Sequence, residues 1–147
     1  MREIKYIAVH CTASSQKTTI RGLEMEFKRK GWKNPGYHYV VSADGVIHQM
    51  LDENKVSNGV KGWNSKLINV AYIGGIDAAG KPTDNRTEAQ KKSLRVLLKL
   101  LRGRYPKATI QGHRDFSPDL NGDGKITKNE WIKACPCFDA KEEYKNL

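Results

Sequence analysis

The stretch Gln111 to Asp139, QGHRDFSPDLNGDGKITKNEWIKACPCFD, gathers a histidine, two cysteines, a lysine and a row of spaced oxygen side chains, and a second His-Cys pair, His10-Cys11, lies near the other end of the chain. Neutral imidazole and thiolate together suit zinc, and three protein ligands with one open position make a catalytic rather than a structural site. His10, His113 and Cys135 supply that count. They are too far apart for a zinc finger, and lone His and Cys residues are ordinarily buried or solvated without any metal. Residue type alone therefore leaves both readings open.

A second cation motif lies inside the same stretch. Asp119, Asn121, Asp123, Gly124, Lys125, Thr127 and Glu130 fall on positions 1, 3, 5, 6, 7, 9 and 12 of a calcium loop. Calcium takes six to eight hard oxygens, the glycine allows the sharp turn, and Glu130 can offer both oxygens. The opposing reading is a surface turn rich in Asp, Asn and Gly, and no helix-like pattern leads into it. We expect calcium here, in a loop at 119–130 inserted between His113 and Cys135.

The three cysteines cannot all pair, and Cys135 and Cys137 are too close together for an unstrained disulfide. A reduced, metal-binding use of Cys135 fits better than a staple, with Cys11 and Cys137 as small buried residues.

Two strand ends must carry the histidines. Ile4 to His10 is a β-forming run that delivers His10 to its end, and Ala108 to Gln111 does the same for His113. Ile20 to Lys30 sets Ile20, Leu23 and Phe27 on one helical face, with Gly31 as the stop. Tyr37 to Val41 and Val46 to Met50 form a hairpin about Asp44-Gly45; Tyr37 and His38, as neighbours on a strand, point to opposite faces. Asp52 to Lys66 is irregular and carries Trp63 and Asn64, an aromatic and an amide suited to gripping a glycan or peptide, or else an ordinary surface loop. Leu67 to Ile76 reads as a central strand. Thr87 to Gln90 is a capping box ahead of a helix through Leu101, and Phe138 to Asn146 ends the chain as a short helix. This alternation predicts one α/β domain spanning residues 1–147, a mostly mixed central sheet flanked by helices, with ligands bound at strand ends.

At 147 residues and 38% apolar content the chain can bury one core, and no apolar run could span a membrane. The start, MREIKYIAVHC, has no secretory signal pattern, so the expectation is a protein cytoplasmic until released. Twenty-six Lys and Arg against sixteen Asp and Glu give +10, which favours anionic partners such as nucleic acid, anionic lipid or an acidic wall polymer without choosing among them. No aromatic interleaving of a nucleic-acid stacking platform accompanies the charge.

VHCTAS after the first strand, GWKNPGYHYVVSADG, IGGIDAAGK, TEAQ, GHRD and KACPCFD, in that order, resemble the zinc-dependent N-acetylmuramoyl-L-alanine amidases of the phage-lysozyme type, relatives of the peptidoglycan recognition proteins. The likeness runs from about Tyr6 to Asp139. It implies that fold, and cleavage of the amide between the lactyl group of N-acetylmuramic acid and the L-alanine of the stem peptide, by a monomer acting on peptidoglycan without membrane insertion or a specific nucleic acid. It further implies that His10, His113 and Cys135 hold zinc and that Tyr37 and Lys133 are catalytic. Non-catalytic members of the superfamily bind peptidoglycan without turnover and usually lack the cysteine. Two departures stand out: Val60 precedes Lys61-Gly62-Trp63-Asn64 where phage members often carry a histidine, and SPDLNGDGKITKNEWI is longer than the phage pattern needs.

Overall fold

The computed structural model describes residues 2–147. The elements are β1 (Tyr6–Cys11), α1 (Ile20–Arg29), β2 (Tyr39–Val41), β3 (Ile47–Gln49), β4 (Leu67–Tyr72), α2 (Glu88–Arg104), β5 (Thr109–Gly112) and α3 (Ala140–Glu143), with 3-10 turns at Asn64–Lys66, His113–Phe116 and Lys128–Glu130. They build one sheet in the order β3-β2-β4-β1-β5. β2, β4, β1 and β5 run parallel, and β3 is antiparallel to β2. This is the mixed sheet between helices that the alternation of elements predicts.

Parallel strands need cover on both faces, and the composition supplies it. In β1, Ile7, Val9 and Cys11 enter the core formed with Leu94, Leu97, Leu98 and Leu101 of α2 and Ala140 of α3. Ala8 belongs to a separate cluster, as the pleat requires. Val40 and Ile73, alternating with Val41 and Tyr72, pack against Leu23 and Phe27 of α1. Helices α1 and α2 therefore cover opposite faces. β4 is buried along its whole length and sits mid-sheet, as its apolar run implies.

The helix ends carry their expected caps. Thr19 accepts from the Gly22 amide, and α1 stops just before Gly31 at φ +77. Thr87 and Gln90 exchange both capping-box bonds at 3.0 Å. Gln90 also donates to the carbonyls of Val41 and Ile73, which docks the start of α2 onto the sheet. Just before α2, the buried Arg86 pairs with Asp84 at 2.9 Å and with Glu143, near the end of the chain, at 2.8 Å while its guanidinium lies over Phe138. A desolvated, fully paired guanidinium is a strong positional clamp, here tying α3 to the loop before α2.

The hairpin strands are shorter than their sequence pattern suggests. Tyr37 and His38 precede β2 instead of opening it, because the chain bends there. His38 still pairs through its backbone: its amide donates to Asn69 O at 2.9 Å, and its carbonyl accepts from Met50 N at 2.7 Å. Its ring is fully buried, as a structural histidine should be. The Asn69 amide donates to His38 Nδ1 at 3.0 Å, so the ring proton sits on Nε2 and reaches Lys55 O at 2.7 Å.

Burial pushes the His38 pKa down to about 4; the Lys55 carbonyl opposes this, and the Arg2 charge adds to it. A ring that titrates near 6.5 unfolded and about 4 folded contributes stability that is complete above pH 6.5 and is lost as pH falls toward 4. At pH 4 the loss from this group is on the order of 3 kcal/mol. The stability difference between the wild type and His38→Gln in urea melts should shift by about that amount, in favour of the variant, between pH 7 and pH 4. An unchanged difference would show that His38 is free to protonate in the fold.

Candidate metal centre and its cleft

Strand register brings the two histidines together. Val9 of β1 is level with Gly112 of the adjacent parallel β5, so the next residues stand side by side at the same end of the sheet, His10 still paired with Ala71 of β4 and His113 opening the 3-10 turn after β5. Their Nδ1 atoms lie 3.2 Å apart. Gly112 is needed for the third member, because a Cβ there would press on the Pro136 ring. The close approach lets Arg114 N donate to Cys135 O at 2.8 Å and Cys11 N donate to Cys135 Sγ at 3.1 Å. Tyr72 donates from its hydroxyl to Pro136 O at 2.7 Å. One ligand atom from each of His10, His113 and Cys135 lies within 4.8 Å of the others.

The electrostatics suit a cation ligand set. Burial lowers the His10 pKa to about 4, with the Lys133 charge adding to the effect and the Asn69 hydrogen bond working against it. Burial, then His10, then Lys133 lower His113 to about 3. Both rings are neutral at pH 7, with lone pairs free for a metal. The donor set also fits zinc on distance: two nitrogens each 2.0–2.1 Å from a tetrahedral ion stand about 3.3 Å apart, close to the separation of the two Nδ1 atoms.

A cleft of about 280 Å³ opens over this trio, lined also by Tyr37, Lys133, Glu26, Phe27 and Gly59. The Tyr37 ring is 5.2 Å from the His10 ring, and its hydroxyl reaches toward Cys11 O at 3.4 Å. Burial raises the phenol pKa well above its usual value, so the group is an O–H donor at neutral pH. Lys133 is exposed at the rim. Its side chain borders both this cleft and an adjoining hollow of about 490 Å³ walled by Val60, Phe116 and Ile132.

Trp63 and Asn64 lie elsewhere. Trp63 packs edge-on against Tyr6 and Phe116 and borders a separate surface hollow. Asn64 Oδ1 accepts from the amides of Gly59 and Val60, at 3.0 and 2.7 Å, so its carboxamide shapes the loop over the cleft.

In the 119–130 loop, carboxylate oxygens of Asp119, Asp123 and Glu130 lie within 4.8 Å of one another. Glu130 is buried and accepts from Leu120 N and Thr127 N, and Asp119 accepts from Gly122 N and Gly124 N. Asn121 and Lys125 flank them on the exposed side.

Two features escape sequence reasoning. Cys11 and Cys137 meet with their sulfurs 3.9 Å apart, a contact between chain ends that no spacing rule anticipates. The other is Asn69, a lone amide in the apolar run of β4, which accepts from His10 Nε2 at 2.8 Å. Its only signal in the sequence is being polar where every neighbour is apolar.

The comparisons with known proteins agree with this geometry. Residues 1–136 match the family model described as N-acetylmuramoyl-L-alanine amidase. The chain is similar to the endolysin of Escherichia phage T7, 37% identical over 137 residues (92% of this chain, 82% of that protein). It is similar also to the endolysin of Enterobacteria phage K11, 36% identical over 140 residues (94% and 83%). Among solved structures, the endolysin of Thermus scotoductus bacteriophage Ph2119 superposes with a TM-score of 0.70 at 26% identity, covering 92% of this chain and 79% of that one. The Drosophila peptidoglycan recognition protein LB shares the fold at 14% identity, with a TM-score of 0.69 and coverage of 100% and 82%. With the family model spanning nearly the whole chain and phage relatives above one-third identity, the protein belongs to the N-acetylmuramoyl-L-alanine amidase family.

Proposed function

We propose that His10, His113 and Cys135 hold a zinc ion and that Tyr37 and Lys133 are catalytic, in an enzyme that hydrolyses the amide between N-acetylmuramic acid and L-alanine in peptidoglycan. The observation that carries this is the convergence of two imidazoles and a thiol at the floor of a cleft that also holds the Tyr37 phenol and the Lys133 side chain. The same convergence favours turnover over the non-catalytic binding of peptidoglycan, because binding alone has no use for it. In this reading a monomer reaches the wall after release from the cytoplasm.

Bound there, zinc would polarise the scissile carbonyl and make water acidic enough to supply hydroxide at neutral pH. Hydrolysis puts a hydroxyl on the lactyl carbonyl carbon and a proton on the alanine nitrogen. The carbonyl oxygen gains negative charge on the way, and preorganised donors aimed at that charge lower the barrier. Tyr37 Oη carries its proton at working pH and donates toward it. Lys133 Nζ, at the rim, adds a positive charge that also helps hold His10 and His113 neutral.

Cys135→Ala should lose both zinc, by elemental analysis, and the release of stem peptide from purified wall. Full activity of that variant in chelator would overturn the ligand assignment. Tyr37→Phe and Lys133→Ala should keep zinc and the fold while turnover falls by about 10²-fold, the scale of one lost oxyanion donor. Wild-type turnover in either variant would remove that residue from the mechanism.

The loop from Asp119 to Glu130 in this reading takes one calcium ion through Asp119, Asn121, Asp123, Glu130 and the carbonyl of Lys125, supported by the twelve-residue spacing and the convergence of three carboxylates. Zinc-loaded protein should melt higher as calcium rises, by about 2.7 kcal/mol of stability at a hundred times the dissociation constant, and Asp119→Ala should abolish the rise. Identical melting in calcium and in a calcium-selective chelator would leave the loop as a turn.

A further inference from the structure

Behind His10 lies a chain of fully buried polar groups that the proposed reaction does not use directly. His10 Nε2 is 2.8 Å from Asn69 Oδ1, Asn69 Nδ2 is 2.6 Å from Ser57 Oγ, and Ser57 Oγ is 3.1 Å from His38 Nδ1. His10 is 1% exposed, and Asn69, Ser57 and His38 are 0% exposed. Four polar side chains cut off from water must satisfy one another, so the direction of each hydrogen bond is constrained by the next.

The direction can be worked out from one end. The backbone amide of Asn69 can only donate, and it points at His38 Nδ1, so that nitrogen is an acceptor and the single proton of the neutral ring is on Nε2. The Lys55 carbonyl, 2.7 Å from Nε2, can only accept and agrees; the nearby Arg2 guanidinium, 3.2 Å from the same nitrogen, has the Glu53 carbonyl to receive its own N–H. The Ser57 hydroxyl, 3.1 Å from His38 Nδ1, shares that acceptor with the Asn69 backbone amide and leaves its oxygen lone pairs for the Asn69 side chain. Asn69 presents its NH₂ to Ser57 at 2.6 Å and its oxygen to His10 at 2.8 Å. The flipped carboxamide would draw the Ser57 proton away and leave Ser57 Oγ and His38 Nδ1, 3.1 Å apart, without a proton between them. An amide oxygen only accepts, so His10 carries its proton on Nε2 and turns a bare Nδ1 toward His113.

We propose that Asn69, backed by Ser57 and His38, is a positioning residue that locks His10 in the Nε2–H tautomer and so aims its Nδ1 lone pair into the cleft. Gly59 completes the device: a Cβ there would collide with the Asn69 carboxamide, so only glycine leaves room for the amide. Without the lock, a neutral imidazole can place its proton on either nitrogen, and the tautomer with Nδ1–H cannot ligate from that atom. Partners of this kind behind a ligating histidine are typically worth 10–100-fold in metal affinity. The gain in affinity rests on the zinc reading above; the tautomer does not.

The test begins with metal-free wild-type protein at neutral pH, where long-range ¹H–¹⁵N correlation spectra report the tautomer of each histidine. His10 and His38 should both appear as Nε2–H, and a His10 with its proton on Nδ1 would overturn the proposal without any variant being made. Zinc affinity by chelator competition comes second. Asn69→Ala and Gly59→Ala, checked for folding by circular dichroism, should bind zinc about 10–100-fold more weakly. Asn69→Asp, which keeps an acceptor toward His10, should bind close to wild type, and Ser57→Ala should weaken binding less than Asn69→Ala. Unchanged affinity in both Asn69→Ala and Gly59→Ala, with His10 still Nε2–H, would sink the lock. A wild type that shows the expected tautomer and binds no zinc would instead overturn the metal reading, so the two failures are separable.

Discussion

The structure depends on the in-register parallel pairing of β1 with β5. Val9 and Gly112 are partners, and every consequence for the centre follows from the next residue on each strand. A slip of one position would send His10 or His113 to the opposite face, because side chains alternate along a strand. The register is held by packing: Ile7, Val9 and Ile110 are locked among the leucines of α2, and a slip would take them out of that core into the smaller cluster around Ala8 on the other face. The hydrophobic core thus sets the spacing of the two histidines, which contribute little to their own placement.

That arrangement carries an electrostatic cost. Two imidazoles brought to 3.2 Å and removed from water cannot both be charged, and burial drives each toward the neutral form. Neutrality is also what a cation ligand needs, so the desolvation that would penalise a catalytic acid here prepares a metal site. Lys133 reinforces the effect from the rim. In the proposed mechanism the same charge that disfavours protonated histidine also favours a developing oxyanion.

Much of this is legible in the sequence, and the parts that are not share a cause. The capping box at Thr87 and Gln90, the buried run of β4 and the delivery of both histidines to strand ends follow from local pattern, and the structure has all three. The bend that takes Tyr37 and His38 out of β2 does not, because β-forming residues continue through it. Asn64 reads as a substrate-gripping amide, yet it caps the amides of its own loop; a side chain able to bond to ligand or backbone looks the same in one dimension. Asn69 and Ser57 were unreadable for a related reason. Their importance comes from a carboxamide threaded between residues 10, 57 and 38, which only the folded chain brings together.

The two sides of the cleft are held by different means. His10 and His113 come from a sheet whose strands are buried on both faces, so their positions are settled once the core forms. Lys133 and Cys135 come from a polar segment with little apolar surface of its own, and Leu120 and Ile132 on it are exposed. Ordering such a segment costs on the order of 1–2 kcal/mol per residue, which its own burial cannot repay. It is therefore fastened at points: Pro136 over Gly112 and under the Tyr72 hydroxyl, Arg86 clamping Glu143 beyond it, and Glu130 turned inward to accept from Leu120 and Thr127. Between those fastenings carboxylate oxygens of Asp119, Asp123 and Glu130 come within 4.8 Å of one another, and the loop's own amides, those of Leu120, Gly122, Gly124 and Thr127, donate to Asp119 and Glu130. Those bonds restrain the segment that carries Lys133 and Cys135, and so act on the assembly of the cleft from a distance.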